Sequence, residues 1–309
     1  MRLSAFHAVA ALGAAAMFLS ACSGAAQSGS TGLPQTAVAP RHIRSATGSF
    51  LYVTDYAKNS VEVLQHLDQV WSNVGSIKES VAQPLNDWVD QNQNLYVANI
   101  NGPVTEYDSS GKLIFTYGAA GPARGVTTDR AGNVYAAGVD VSEYPQGVDD
   151  PASCEIPKVE PRSIAVDKDG DVFVGLFLHT GRGRVAEYVH GLLDSRCRAT
   201  RLPIKFRVPV YGIAIDKEGN LLVTDSAGRG VSVIDVIAPP YTSITRTLQA
   251  GLTWAASVSI NQDNTRVYVS QSSDIAILDY PAGAKIATLG SGQNLTQPTS
   301  AAGSDNFVP

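Results

Sequence analysis

The chain has 309 residues, 23 Lys+Arg against 28 Asp+Glu, a net charge of −5 and 44% hydrophobic residues, enough for one large domain or two modest ones. An acidic balance lacks the basic face of a nucleic-acid binder. Only 17% charged residues alongside 28 Gly and 12 Tyr favours short strands and turns, and excludes a coiled coil, a multi-span membrane protein or a mostly disordered chain.

At the N-terminus, Arg2 supplies a positive start and residues 3–18 an apolar run, too short and too poorly flanked by charge to span a membrane. It reads as a secretory signal. The run ends in Leu19-Ser20-Ala21-Cys22, which resembles the lipobox of bacterial lipoproteins. That resemblance implies a signal peptide over residues 1–21, cleavage before Cys22 and lipidation of Cys22. The protein would then be exported and held at the cell envelope by its lipid. Ser23, where inner-membrane lipoproteins of this type tend to have Asp, leans towards an outer membrane if there is one.

Residues 22–47 are rich in Ser, Gly, Ala and Pro and cannot bury enough surface to offset their ordering entropy, so they read as a flexible tether. From residue 48 one phrase recurs. Residues 84–97, 122–135, 161–174, 211–223 and, more loosely, 256–269 each give a short apolar strand, a polar turn and a second strand. Asp90, Asp129, Asp167, Asp216 and Asn261 mark the turns, where Asp-x-x-Gly-Asn supplies positive φ between β-branched runs. A third strand follows in most copies, as at 104–107, 185–188, 231–236 and 275–278, and often a fourth, as at 112–117 and 285–289.

Four antiparallel strands per roughly 40 residues is the arithmetic of a β-propeller blade. Residues 50–64 begin at the second strand of a unit, whereas residues 298–308 resemble a first strand and its turn. Joined, they make a sixth blade and remove an exposed edge. The expectation is an all-β, six-bladed propeller over residues 48–309, closed by pairing the C-terminal strand with the N-terminal ones. A seventh blade would have to hide in residues 237–254. Leu51-Tyr-Val-Thr-Asp55 and Leu222-Val-Thr-Asp225 resemble second strands of NHL repeats, and Val267-Tyr-Val-Ser270 resembles the YVTN type. The resemblance implies the fold; propellers host binders, scaffolds and enzymes alike.

In such propellers the ligand face gathers the residues just before each innermost strand and the turns between second and third strands. The first ring here is Leu85, Arg124, Arg162, Tyr211, Ala256 and Thr299, and the turns add Asp55, Asn99, Asp140, His179, Arg184, Asp225, Arg229 and Asp274 among others. Arg124, Arg162, Tyr211, Arg184 and Arg229 are the candidate ligand-binding residues. Guanidinium forks suit carboxylate or phosphate and Tyr offers a flat surface, whereas the plainer reading pairs these arginines with neighbouring Asp and Glu. Cys154 and Cys197 remain as a pair in an oxidising compartment, either bridged between adjacent outer segments or buried as separate thiols.

The chemistry motifs are poor. Gluconolactonase-type propellers hold a divalent cation in the central channel, but Asn86 and Asp87 are the nearby oxygen ligands here. Lyase-like propellers need a catalytic His, and only His179 falls near a mouth. Asp167-Lys-Asp169-Gly170-Asp171 lacks the downstream Glu of a calcium loop. Neither metal nor cofactor is expected. The favoured reading is a monomeric, lipid-anchored, non-catalytic binding or scaffold protein. Its partner would be a small anionic molecule, a saccharide or an envelope protein, and not nucleic acid. A metal-dependent lactonase or lyase is the alternative.

Overall fold

Apolar strands on both sides of each polar turn fold every repeat into an antiparallel sheet, and the computed structural model describes this over residues 49–118 and 121–304. The expected signal peptide, Cys22 and the tether lie outside the described residues. Blade 1 contains β1 (Ser49–Asp55), β2 (Ser60–Leu67) and β3 (Val70–Ile77). Blade 2 is β4 (Pro84–Val89), β5 (Leu95–Asn99), β6 (Val104–Tyr107) and β7 (Leu113–Tyr117). Blade 3 is β8 (Ala123–Thr128), β9 (Val134–Gly138), β10 (Val141–Tyr144) and β11 (Ala152–Cys154). Blade 4 is β12 (Val159–Val166), β13 (Val172–Leu178), β14 (Gly183–Tyr188), the short helix α1 (Gly191–Ser195) and β15 (Thr200–Arg201). Blade 5 is β16 (Ile213–Ile215), β17 (Leu221–Gly228), β18 (Val231–Ile237) and β19 (Arg246–Thr253). Blade 6 is β20 (Ser257–Ile260), β21 (Arg266–Ser270), β22 (Ile275–Asp279) and β23 (Lys285–Leu289).

The last strand, β24 (Pro298–Gly303), pairs antiparallel with β1, from Leu51 opposite Gly303 to Asp55 opposite Pro298, and supplies the innermost strand of blade 1. The protein is therefore a six-bladed propeller of four-stranded antiparallel blades, closed between its ends. Residues 246–253 of the stretch weighed for a seventh blade form β19, the outer strand of blade 5.

The core is not one mass but six layers, each between neighbouring blades. Tyr52, Val61, Val97 and Tyr107 pack between blades 1 and 2, and Phe173, Val185, Leu221 and Ile237 between blades 4 and 5. Leu51, Val53, Tyr268 and Ile277 join blade 6 back to blade 1. A strand with both faces against neighbours needs apolar residues at successive positions, which is why β5, β9 and the start of β17 read as runs, not alternations.

The recurring Asp has a structural task. Asp90 Oδ1 accepts from the amides of Asn92 and Asn94 at 2.8 Å, and Asp216 Oδ1 from those of Glu218 and Asn220 at 3.0 and 2.7 Å. Asp167, in the segment that brushes the calcium-loop pattern, does the same for Asp169 and Asp171 at 2.9 Å. These carboxylates hold their own hairpin turns.

Cys154 of β11 and Cys197 beyond α1 are joined by a disulfide with a Cα–Cα distance of 5.3 Å, tying blade 3 to blade 4.

Candidate functional site

The innermost strands start at one face of the ring, here called the mouth, and end at the Asp-bearing turns on the other. In four blades the residue at the start of that strand is the extra residue of a β-bulge. The register slips between Pro84 and Asn86, between Ala123 and Gly125, between Pro161 and Ser163, and around Thr299 opposite Thr54 and Asp55. Leu85, Arg124, Arg162 and Thr299 are the residues passed over. A bulged residue leaves the ladder and its side chain is re-aimed.

Three of the five candidate residues come together. Arg162 Nη2 donates to Glu160 Oε2 at 2.6 Å, and Arg124 Nη2 lies 4.0 Å from the same oxygen. The Arg162 guanidinium lies over the Phe177 ring at 5.3 Å and over the Tyr211 ring at 5.8 Å, within cation–π range. Arg124 Nη1 also donates to the Gly138 carbonyl at 3.4 Å. The Nε–H groups of both arginines are buried without a hydrogen-bond partner. Burial, and then the adjacent Arg162 charge, pull the Arg124 guanidinium below its ordinary pKa, opposed by Glu160. Arg184 Nη1 instead donates to the Ile204 carbonyl at 2.9 Å, and Arg229 stands at the exposed tip of the turn between β17 and β18.

Sequence reasoning missed Glu160 and Phe177. β12 runs two residues past Pro161 towards the mouth, pairing Glu160 with Phe177 and Val159 with Leu178. The signal was the apolar run of residues 172–178, long enough for an extended second strand.

Three of the turn candidates, Asp55, Asn99 and Asp225, hold backbone of their own blades, as does Gln271, which sequence reasoning did not single out. Asp55, Asn99, Asp225 and Gln271 occupy equivalent places at the ends of second strands. Each side-chain oxygen accepts from backbone amides of the segment leading into its own blade's innermost strand. Asp55 holds Thr296 and Gln297 at 2.6 and 3.2 Å, and Asn99 holds Ala82 at 2.9 Å. Asp225 holds Arg207 and Val208 at 2.8 and 3.2 Å, and Gln271 holds Thr253 at 2.7 Å. Blades 3 and 4 have Gly138 and Leu176 at this place, and these are the blades that carry the two mouth arginines. At Gly138 a Cβ would overlap the Pro122 carbonyl, so the entering chain sits directly on the strand end. His179 is exposed in a tight turn closed by Gly181 N–H on the Leu178 carbonyl at 2.8 Å.

Below the mouth the channel is narrow. A Cβ on Gly212 would lie 2.7 Å from Ser257 Cα, and one on Gly125 3.0 Å from Ser163 Cα, so adjacent innermost strands are in backbone contact. The lining is Val126, Ile164, Ala165, Ile213, Ala214 and Val258, with hydroxyls from Thr127, Ser259 and Ser300. Asp87 is the one carboxylate in it, 3% exposed, with neither oxygen in a hydrogen bond of good geometry. Burial pushes its carboxyl up to about 7, against the pull of the Ser300 hydroxyl. Among the described residues no three His, Cys, Asp or Glu are grouped to hold a metal ion.

No family model matches the chain, and no curated protein matches it. Solved structures do. A chain of a nidogen/laminin complex superposes with a TM-score of 0.67 at 14% identity, over 83% of this chain and 98% of that one. A protein of unknown function from Bacteroides caccae gives 0.64 at 14%, over 83% and 99%. A candidate gluconolactonase gives 0.53 at 14%, over 70% and 79%. At that identity the likeness is one of fold.

Proposed function

We propose that this protein is an exported, lipid-anchored, non-catalytic binding protein whose mouth takes an anionic ligand. The observation that carries the reading is the charge arrangement at the mouth. Two guanidinium groups, on side chains 23% and 22% exposed, share the single Glu160 carboxylate, leaving a net positive charge and Nη donors open to a ligand. Donors held in place by a closed ring of blades bind with little further ordering.

The similar structures include one from a complex between proteins and one candidate lactonase, which fits the range of uses of this fold. A metal-dependent lactonase or lyase needs several converging oxygen or imidazole ligands. The channel offers the one carboxylate of Asp87 amid aliphatic side chains, hydroxyls and Asn86, so binding at the mouth is the better-supported reading.

Isothermal titration of the purified protein with small carboxylates, acidic oligosaccharides and phosphate tests this directly. Binding that is lost in the double variant Arg124→Ala/Arg162→Ala is the expected result. Undiminished binding in that variant, or lactone turnover stimulated by a divalent cation and lost in Asp87→Asn, would overturn it. Lipid attachment is checked by the mass of the membrane-extracted protein, which should fall to the unmodified value in Cys22→Ala.

A further inference from the structure

One residue at the mouth is displayed at a conformational penalty. Of the three tryptophans, Trp71 stacks on His66 at 4.6 Å and Trp88 donates its indole N–H to Thr128 at 2.9 Å, both within blades. Trp254, in the segment entering blade 6, is 73% exposed and has a φ of +50°. That is the left-handed region, which a bulky residue enters only when its surroundings impose it.

The surroundings do impose it. On one side the Thr253 amide donates to Oε1 of the buried Gln271 at 2.7 Å. On the other, the Ala255 amide donates to Oγ of the buried Ser232 at 3.0 Å, and the Ala256 amide to the Ser270 carbonyl at 2.9 Å. Buried polar groups from two blades thus pin the backbone on both sides of Trp254, and the indole is held outward.

Trp254 belongs to the same rim as the arginines. Tyr211, itself 40% exposed, leads into β16 as Trp254 leads into β20, and the close approach of Gly212 to Ser257 makes those two segments neighbours. From blade 3 to blade 6 the rim therefore runs Arg124, Arg162, Tyr211, Trp254: charge at one end, flat apolar faces at the other. A ligand matching this order carries a carboxylate beside rings with flat C–H faces, as a uronate-bearing saccharide does.

We infer that the mouth is a saccharide site for a uronic-acid-bearing oligosaccharide, with Trp254 and Tyr211 as stacking platforms and the Arg124–Arg162 pair gripping the uronate carboxylate. This rests on the anionic-ligand reading above and narrows it to one chemistry.

Trp254 provides its own reporter, because it is the solvent-facing indole of the three. In the test, a galacturonate trimer is titrated against the protein while tryptophan emission and its quenching by acrylamide are followed. The expected result is protection of the exposed indole, affinity at least tenfold weaker in Trp254→Gly, and affinity at least tenfold weaker for the methyl-esterified trimer. If acetate or a peptide C-terminus binds as well as the trimer, and Trp254→Gly changes nothing, the anion reading survives and the saccharide inference falls. If an acidic peptide binds more tightly than the trimer and depends on Trp254, the site is a peptide site and the saccharide inference falls. If no anion binds to wild type, both fall.

Discussion

At the residue scale the molecule separates side chains that hold the fold from side chains held by it. Trp254 is of the second kind. Glycine enters the left-handed region freely whereas a bulky residue pays roughly 1 kcal/mol or more, so Trp254→Gly should raise stability by about 1 kcal/mol even as it weakens binding. Calorimetry would show this as a rise of roughly 2–4 °C in Tm. Glu160 competes for the same guanidinium groups as an incoming anion, and it is about a third exposed, at 37%. Glu160→Gln should tighten binding of a monoanion roughly threefold to fivefold, the scale of an exposed ion pair, and titration at low salt would reveal it. Asp87 makes stability depend on pH. Its carboxyl is raised from 3.8 to about 7 in the folded state, so on raising pH the unfolded chain loses this proton first. Stability from this group is therefore intact below about pH 4, falls between pH 4 and 7 by a few kcal/mol, and is flat above. In Asp87→Asn that fall should vanish, as denaturant titrations at pH 4.5 and pH 8 would show.

At the scale of the element, the repeats were legible because an inter-blade strand must be apolar on both faces and its turn must be polar with positive φ. Those demands write Asp-Lys-Asp-Gly-Asp and Asp-Lys-Glu-Gly-Asn into residues 167–171 and 216–220 whatever the protein binds. The candidate site was only partly legible. Arg124, Arg162 and Tyr211 share a phase that the repeat exposes, but the bulges that turn Arg124 and Arg162 outward depend on register, which a single strand does not encode. The acids and amides ending the second strands looked like ligand groups because polar residues at loop mouths usually are. Their partners are amides of the same blade, 18 residues away at Asp225 and Gln271 and 241 away at Asp55, and the folded blade reveals them. The disulfide acts on this scale too. It spans a sequence separation of 43 and ties β11 to the connection after α1. Removing it with Cys154→Ser/Cys197→Ser should lower unfolding stability by about 2–4 kcal/mol, measured in guanidinium with and without reductant.

On the scale of the whole molecule, closure between the ends is what makes six sheets a ring. β24 buries Ala301 and Ala302 in two different inter-blade layers and covers the edge of β1. A chain ending at residue 297 would leave Leu51, Tyr52 and Val53 on an open strand edge, and should unfold in more than one step and self-associate. Light scattering and denaturant unfolding followed by two probes would show both effects. The bulged positions have a consequence of another kind. Leu85, Arg124, Arg162 and Thr299 have left the ladder, so the backbone pairing of the blades behind them does not run through these residues. The rim behaves like a row of interchangeable keys on one fixed lock body: the ligand could be changed by rewriting a few letters, with the same blades turning beneath it.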